Sequence, residues 1–397
     1  MRRSFDYAVV GAGGIGSAAT YWLSRHAGEG VVCLEQWELG HRDGASEDHS
    51  RIIRLGYHSP VYTALTRPAY AAWRVVEGES GVPLVHTTGM VNIAQRGTEG
   101  GEILDAYVEA MTAQEIDHER MGAAELMSRW PQFRVPEDHE ALYQPEGGIL
   151  DIRKAGAVHR ALARANGATV LPGAGVTAIR PVADGVELVT GAGVIHAGKA
   201  ILCAGAWAPG LLAGLGVRWP IRLTHEQVTY YATPNLRAFA PDRFPIWIWH
   251  GDEEYYGFPV HGEVATKAAQ DLGGPTVAAP QRDRPHDVER VAKVTRFLDT
   301  VLPGYSGPEV YTRSCLYDMP PDRDFVIDFV PEHPDVGVCV GAGHAAKFAG
   351  LLGSILCELV TDGETGHPID AFRADRPALV DPGFAPGYRL GGATAAT

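Results

Sequence analysis

The sequence predicts an α/β protein in two parts: a doubly wound nucleotide-binding unit assembled from separated pieces of chain, and a second unit of largely antiparallel sheet. Three observations lead there. Phe5 to Val10 (FDYAVV) is a short apolar run ending in Gly11-Ala12-Gly13-Gly14-Ile15-Gly16, followed by a helix-spaced stretch and a second apolar run, GVVCLE. Two later segments, KAILCAGAWAP (199–209) and VGVCVGAGHAAKF (336–348), again read as buried strands running into glycine turns. Between them lie alternating stretches such as QVTYYAT and EEYYGFPV, broken by Pro and Gly, which is the pattern of antiparallel strands.

Each element has its reason. Gly11 permits a tight turn, Gly13 lets the backbone approach a pyrophosphate, and Gly16 lets helix and strand pack closely. Ala18, Ala19, Trp22 and Leu23 recur at helical spacing, and Gly28 stops that helix. Its N-terminus offers orphan N–H groups and a positive dipole to a diphosphate. Glu35, nineteen residues past Gly16, can accept hydrogen bonds from a ribose 2′-hydroxyl and repels a 2′-phosphate. The strand–turn–helix–strand setting makes this a Rossmann-type site for an adenine dinucleotide, and NAD and FAD both fit it.

The chain then breaks into a polar loop, GASEDHSRIIRLGYHSP, carrying Arg51 and Arg54, where a nicotinamide dehydrogenase usually continues with further βα units. After the GAGH turn, Phe348, Leu351, Leu352, Ile355 and Leu359 share one helix face, with a stop at Gly363. Residues 1–85, 146–218 and 316–380 are therefore expected in the dinucleotide-binding domain, and 86–145 and 219–315 in the second domain. The tail, 381–397, reads as a loose low-complexity segment.

Composition narrows the function. A formal net charge of -14 argues against nucleic acid and against an anionic membrane surface. No stretch approaches the run of roughly 18 apolar residues that a membrane span needs. Cysteines at 33, 203, 315, 339 and 357 show no zinc spacing, so a reduced, cytoplasmic setting and no metal are expected. Cys203 and Cys339, within runs of Val, Ile and Ala, read as inert buried thiols. No HExxH, P-loop or Ser-His-Asp order points to hydrolysis or phosphoryl transfer.

The order GAGGIG, SRIIR, YYGFP, a lysine shortly after, CLYDMPPDRDFVID and GAGHAAKF resembles monomeric sarcosine oxidase and N-methyltryptophan oxidase, within the D-amino-acid-oxidase-like flavoproteins. The resemblance runs from about Phe5 to Pro377. It implies FAD, attached covalently through Cys315 to the flavin 8α carbon, and a monomer. It implies that Arg51 lies against the flavin ring, Arg54 clamps a substrate carboxylate, and Lys347 helps to hold it. Lys267 matches the lysine near flavin N5 that promotes reaction with oxygen. Tyr256 and Tyr317 match aromatic positions lining the substrate site, and Ser50, Val176, Gly341 and Gly343 join the glycine turn and Glu35 among the flavin-binding positions.

Departures from the family concern the substrate. Asp271 stands where sarcosine-oxidising members carry a histidine, Ser59 where they carry a glutamate, and Ala345-Ala346 where Gly-Phe is commoner. An anionic Asp271 is expected to favour a substrate with a second positive charge, and the missing bulk to admit a larger one. The expected reaction is oxidation of the C–N bond of a secondary or N-methyl amino acid to an imine, with O2 reduced to H2O2. Oxidation of a cyclic or primary amine in a biosynthetic pathway, a dehydrogenase with another electron acceptor, and a flavin-binding scaffold without turnover are the alternatives.

Overall fold

A computed structural model describes residues 3–278, 280 and 285–388. Five parallel strands form the centre of one sheet, in the spatial order Thr169–Leu171, Val31–Leu34, Ser4–Val10, Gly193–Leu202 and His333–Val340. Antiparallel strands extend it: Gly185–Thr190 pairs with Gly193–Leu202 and with Val176–Val182, and Val326–Val330 pairs with His333–Val340. All four residues of Val31–Leu34 are buried. A parallel strand covered on both faces has no polar side to alternate with, hence the unbroken apolar run.

Helices Gly14–Ala27, Ile152–Ala165 and Ala349–Asp362 pack together beside this sheet. The first and last approach closely because Gly353 has no side chain, and a Cβ there would lie 2.5 Å from the backbone of Ala18. The expected stops hold. Gly28 and Gly363 both take positive φ, and the Gly363 N–H donates to Leu359 O at 3.0 Å. Lys347 lies not within that last helix but in the 3₁₀ turn Ala345–Phe348 that precedes it.

The second sheet has the order Thr276–Val277, Arg222–Tyr231, Thr266–Gln270, Tyr255–Phe258, Ile246–His250, Met90–Gln95, His139–Gln144 and Glu119–Gly122. Ile246–His250 and Met90–Gln95 run parallel, and the other pairs are antiparallel. The strand Glu309–Met319 pairs along Arg222–Tyr231 and runs straight through the domain boundary expected at 315/316. Helix Val288–Val301 buries Val294, Leu298 and Val301 in a core with Trp247, Tyr255 and Tyr305. A small sheet of Arg51–Ile53, Gly148–Leu150 and Val85–Thr87 completes the frame.

The described part of the tail is tied down rather than loose. Gly387 and Tyr388 donate their N–H groups to Pro321 O, and the Arg222 guanidinium stands 4.9 Å over the Tyr388 ring; residues 389–397 lie outside the described part. Among the described residues no helix is long and apolar enough to cross a membrane.

Candidate active site

A cavity of about 600 Å³ runs from the glycine turn of the first sheet to the face of the second. At the first end the backbone does the shaping. Gly11 has φ +97°, and a Cβ there would meet Cys203 O at 2.5 Å. A Cβ on Gly16 would meet Gly11 O at 1.9 Å. Neither Ala12 nor Gly16 lines the cavity; Ala12 acts through its N–H, which donates to Glu35 Oε2 at 2.8 Å. Gly13, Gly14 and Ile15 do line it, at a helix start whose first N–H groups have no intrahelical acceptor.

Gly13 is the cradle. The nearest atom to a Cβ placed there is Ser46 Oγ at 3.4 Å, so the absent side chain is space left on the cavity side. Gly14 N–H donates to the same Ser46 Oγ at 2.8 Å. Burial would raise the Glu35 pKa, but His41 at 3.4 Å and the N–H groups of Ala12 and Trp37 hold it below the usual glutamate value. It is an ionised acceptor, which suits a ribose hydroxyl. Trp37 and Trp207 meet edge-on with ring centroids 4.9 Å apart, and Val176 lines the wall with them. These residues fit an adenine dinucleotide.

The middle of the cavity carries Cys315, Arg51 and Lys267. Arg313 lies two residues from the cysteine in the sequence. The structure turns Arg313 to Glu47, and the cations close to Cys315 are Arg51 and Lys267, whose pKa values a thiolate there would raise. Arg51 is heavily engaged: Nη2 donates to Ala45 O (2.7 Å) and Glu47 O (2.8 Å), and Nη1 to Ser50 O (2.8 Å). It binds the 45–50 loop into a shape while its charge stays at the cavity wall. Lys267 Nζ donates to Asp48 Oδ2 (2.6 Å), Ser50 O (2.9 Å) and Ser50 Oγ (3.1 Å).

The far end is cationic. Arg54 is 5% exposed and stacked 4.4 Å over Tyr57, and its buried Nε has no hydrogen-bond partner among the described residues. Lys347 donates to Tyr57 Oη at 2.7 Å and to His344 O at 2.9 Å. Burial, then Arg54 and Arg323, push its ammonium well below the ordinary lysine value. Among the described residues neither Arg54 nor Lys347 forms an ion pair with a carboxylate. Tyr256 and Tyr317 line the same wall, and Gly343, at φ +76°, has no room for a Cβ, which would sit 2.6 Å from the Tyr317 ring.

Two expectations for the substrate change here. Asp271 does line the cavity, but its carboxylate already meets Arg323 Nη2 at 2.9 Å. Its charge is spent within the wall, so it is not a free anion for a second substrate cation. Ser59 does not line the cavity; it precedes helix Pro60–Ser80, where its carbonyl accepts from Thr63. Ala345 and Ala346 line the cavity as expected.

Reasoning from the sequence missed Ser46, Asp48, Glu254, Asp318 and Arg323. Asp318 accepts at 3.4 Å from both Gly341 and Gly343, and burial raises its carboxyl to about 6. Glu254 is held below the usual glutamate value against the penalty of burial, by His250 at 3.1 Å and by Arg323 and Arg54. The one available signal was the paired charge Arg323-Asp324 beside two prolines, an odd place for a merely solvated arginine.

The family described as FAD dependent oxidoreductase matches residues 6–359. Monomeric sarcosine oxidase of Streptomyces avermitilis is 32% identical over 387 residues, covering 95% of this chain and 99% of that one. N-methyl-L-tryptophan oxidase of Salmonella typhimurium is 30% identical, covering 94% and 99%. Among solved structures, NikD, an unusual amino acid oxidase essential for nikkomycin biosynthesis, superposes with a TM-score of 0.82 at 27% identity, covering 94% of this chain and 97% of that one.

Proposed function

The chain belongs to the FAD dependent oxidoreductases and acts on CH–NH donors, and from that premise we propose that it oxidises the C–N bond of a secondary or N-methyl amino acid to an imine, passing the electrons to O2. One observation carries the reading. Arg54 is a buried guanidinium facing the cavity beside the buried amine of Lys347, and among the described residues neither forms an ion pair with a carboxylate. Isolated buried charge is costly, so an unpaired arginine persists where a ligand anion completes it, and the same anion favours the ammonium form of Lys347. An amino-acid carboxylate is that anion, and the planar fork of Arg54 suits bidentate bonding.

Bound FAD supplies the two-electron redox chemistry, and the residues of this chain supply placement and charge. Gly13, Gly14 and Glu35 hold the dinucleotide. Arg54 and Lys347 hold the carboxylate and so fix the position of the reacting carbon, with Tyr256 and Tyr317 closing the wall around it. Lys267 provides positive charge where negative charge develops on dioxygen. Cys315, close to Arg51 and Lys267, would carry the flavin as a thioether. Acid precipitation checks that attachment: colour stays in the pellet, and colour released into the supernatant removes it from the proposal.

A second reading, oxidation of a cyclic or primary amine in a biosynthetic pathway, draws support from the likeness to NikD and from Ala345-Ala346 beside the carboxylate site. One panel separates the readings. The yellow protein is mixed with N-methyl, cyclic and basic amino acids under air while flavin bleaching and peroxide are recorded. The first reading expects N-methyl amino acids to bleach the flavin fastest and to release peroxide. Bleaching without peroxide means a dehydrogenase, and no bleaching with any amino acid sinks both readings.

A further inference from the structure

Lys267 is expected to be the lysine of the oxygen step, and the inference here rests on that reading. Its surroundings hold an acid that no motif announces. Asp48 is 4% exposed and takes φ +106°, a conformation that side chains other than glycine rarely adopt. Strain of this kind is retained where the side chain has a task that glycine cannot perform. Four donors converge on this carboxylate: Lys267 Nζ at 2.6 Å, Tyr230 Oη, Arg51 Nη1 at 3.4 Å and the His49 N–H at 2.9 Å.

The lysine is saturated in return. Its three protons have three acceptors, Asp48 Oδ2, Ser50 O and Ser50 Oγ. The two strands flanking it contribute aromatic faces: Tyr230 and Phe258, its cross-strand neighbours, lie 5.6 and 4.7 Å from Nζ. The 48–51 segment brings Asp48, Ser50 and Arg51; the strands bring Tyr230, Phe258 and, from Glu309–Met319, Cys315.

We propose that Asp48 is a positioning residue for Lys267: it fixes the ammonium on the cavity wall and keeps it charged where burial and Arg51 would strip its proton. With every proton of Lys267 already committed, the lysine acts on the oxygen step as a fixed charge rather than as a hydrogen-bond donor to the ligand. Burial and Arg51 pull its pKa down and Asp48 pulls it up, for a balance at about 8. Asp48 itself is held well below the usual aspartate value, against its burial, by Lys267 and Arg51.

The chain has five lysines, which makes a direct measurement practical. The holoenzyme is labelled with 13C-lysine, the Lys267 Cε resonance is identified by its loss in Lys267→Met, and its shift is followed against pH. The wild type is expected to show an ammonium at pH 7 that titrates near 8. In Asp48→Asn the midpoint falls by about one to three pH units, the usual effect of removing an opposite charge at this range. Asp48→Glu restores it in part. Tyr230→Phe, which keeps the carboxylate, leaves an ammonium at pH 7 and covers the case in which Asp48→Asn does not fold. A neutral Lys267 at pH 7 in the wild type, or an unmoved midpoint in folded Asp48→Asn, overturns the inference. Reoxidation of the reduced flavin by O2 is recorded over the same pH range. If its profile ignores a shifted Lys267 midpoint, the oxygen role of Lys267 falls while the ion pair stands.

Discussion

The two ends of the cavity are made of different material. At the dinucleotide end the working groups are backbone: N–H groups at a helix start, a positive-φ turn at Gly11, a close approach that only glycine allows at Gly16, and one acid, Glu35, held by two neighbouring N–H groups. From the middle of the cavity to the substrate end they are side chains, with Arg51, Arg54, Lys267, Arg323 and Lys347 gathered from four separated segments. A backbone site tolerates most side-chain changes outside its glycines. A charge-built site is a balance in which each member sets the protonation of the next, so single changes spread. Glycine spacing is local and survives in the sequence as a motif, whereas charge balance is made by approach and leaves no spacing behind.

The largest expected effect breaks the substrate end. Arg54→Met removes half of the anion site and leaves Lys347 to face the carboxylate alone. Truncating one partner of a buried charge interaction costs about 2–5 kcal/mol, so kcat/KM falls by roughly 30-fold to several thousand-fold. The flavin spectrum and content stay as they are, because Arg54 is not part of the dinucleotide cradle. Steady-state kinetics with flavin quantified in the same sample checks both halves, and a loss of flavin would show that the two ends are not separable.

Gly13→Ala is the converse experiment. The φ of Gly13 is -67°, so alanine fits the backbone, and its methyl meets only Ser46 Oγ before entering the cavity. Overpacking costs about 1–3 kcal/mol, which in a Cys315→Ser background, where no covalent bond masks dissociation, weakens flavin retention roughly 5- to 150-fold. Thermal unfolding of the flavin-free protein is unchanged. A lowered melting temperature of the apoprotein would mean that the turn, rather than the ligand, feels the methyl.

How much of this was legible follows the same division. FDYAVV, GAGGIG, Glu35, KAILC and VGVCVGAGH were readable because each states its geometry within a few residues. Asp271 could be read only as an acid, since nothing local says that Arg323, fifty-two residues on, neutralises it. Asp48 was invisible for the same reason. Its partner Lys267 is 219 residues away, and a polar loop with an aspartate is ordinary until the fold folds it under a sheet. Resemblance brought Lys267, Arg54, Lys347 and Cys315 into view, but it could not say which neighbours set their charge.

A smaller effect sharpens the contrast through pH. Lys347 is held well below the ordinary lysine value by burial and by Arg54 and Arg323, with Asp271 acting the other way. A bound carboxylate favours the ammonium and raises its pKa, so binding takes up a proton. The sign follows: a carboxylate ligand binds more weakly as pH rises, by up to about tenfold per pH unit for one linked proton. Competitive inhibition by a simple carboxylate, measured across pH, shows the slope, and Lys347→Met flattens it. A slope that survives in Lys347→Met places the proton elsewhere in the cluster.

The smallest expected effect tests whether the dinucleotide end contains any side chain that matters beyond Glu35. Ser46 Oγ accepts the Gly14 N–H at 2.8 Å and stands nearest to the space above Gly13. Ser46→Ala removes one neutral hydrogen bond worth about 1 kcal/mol, or roughly fivefold in affinity. The freed Gly14 N–H becomes available to the diphosphate, which offsets part of that loss. Flavin retention in Ser46→Ala, measured in a Cys315→Ser background so that a covalent bond does not mask dissociation, is therefore expected to fall less than fivefold. A larger fall would make Ser46 a ligand of the diphosphate, and the backbone end would then depend on a side chain after all.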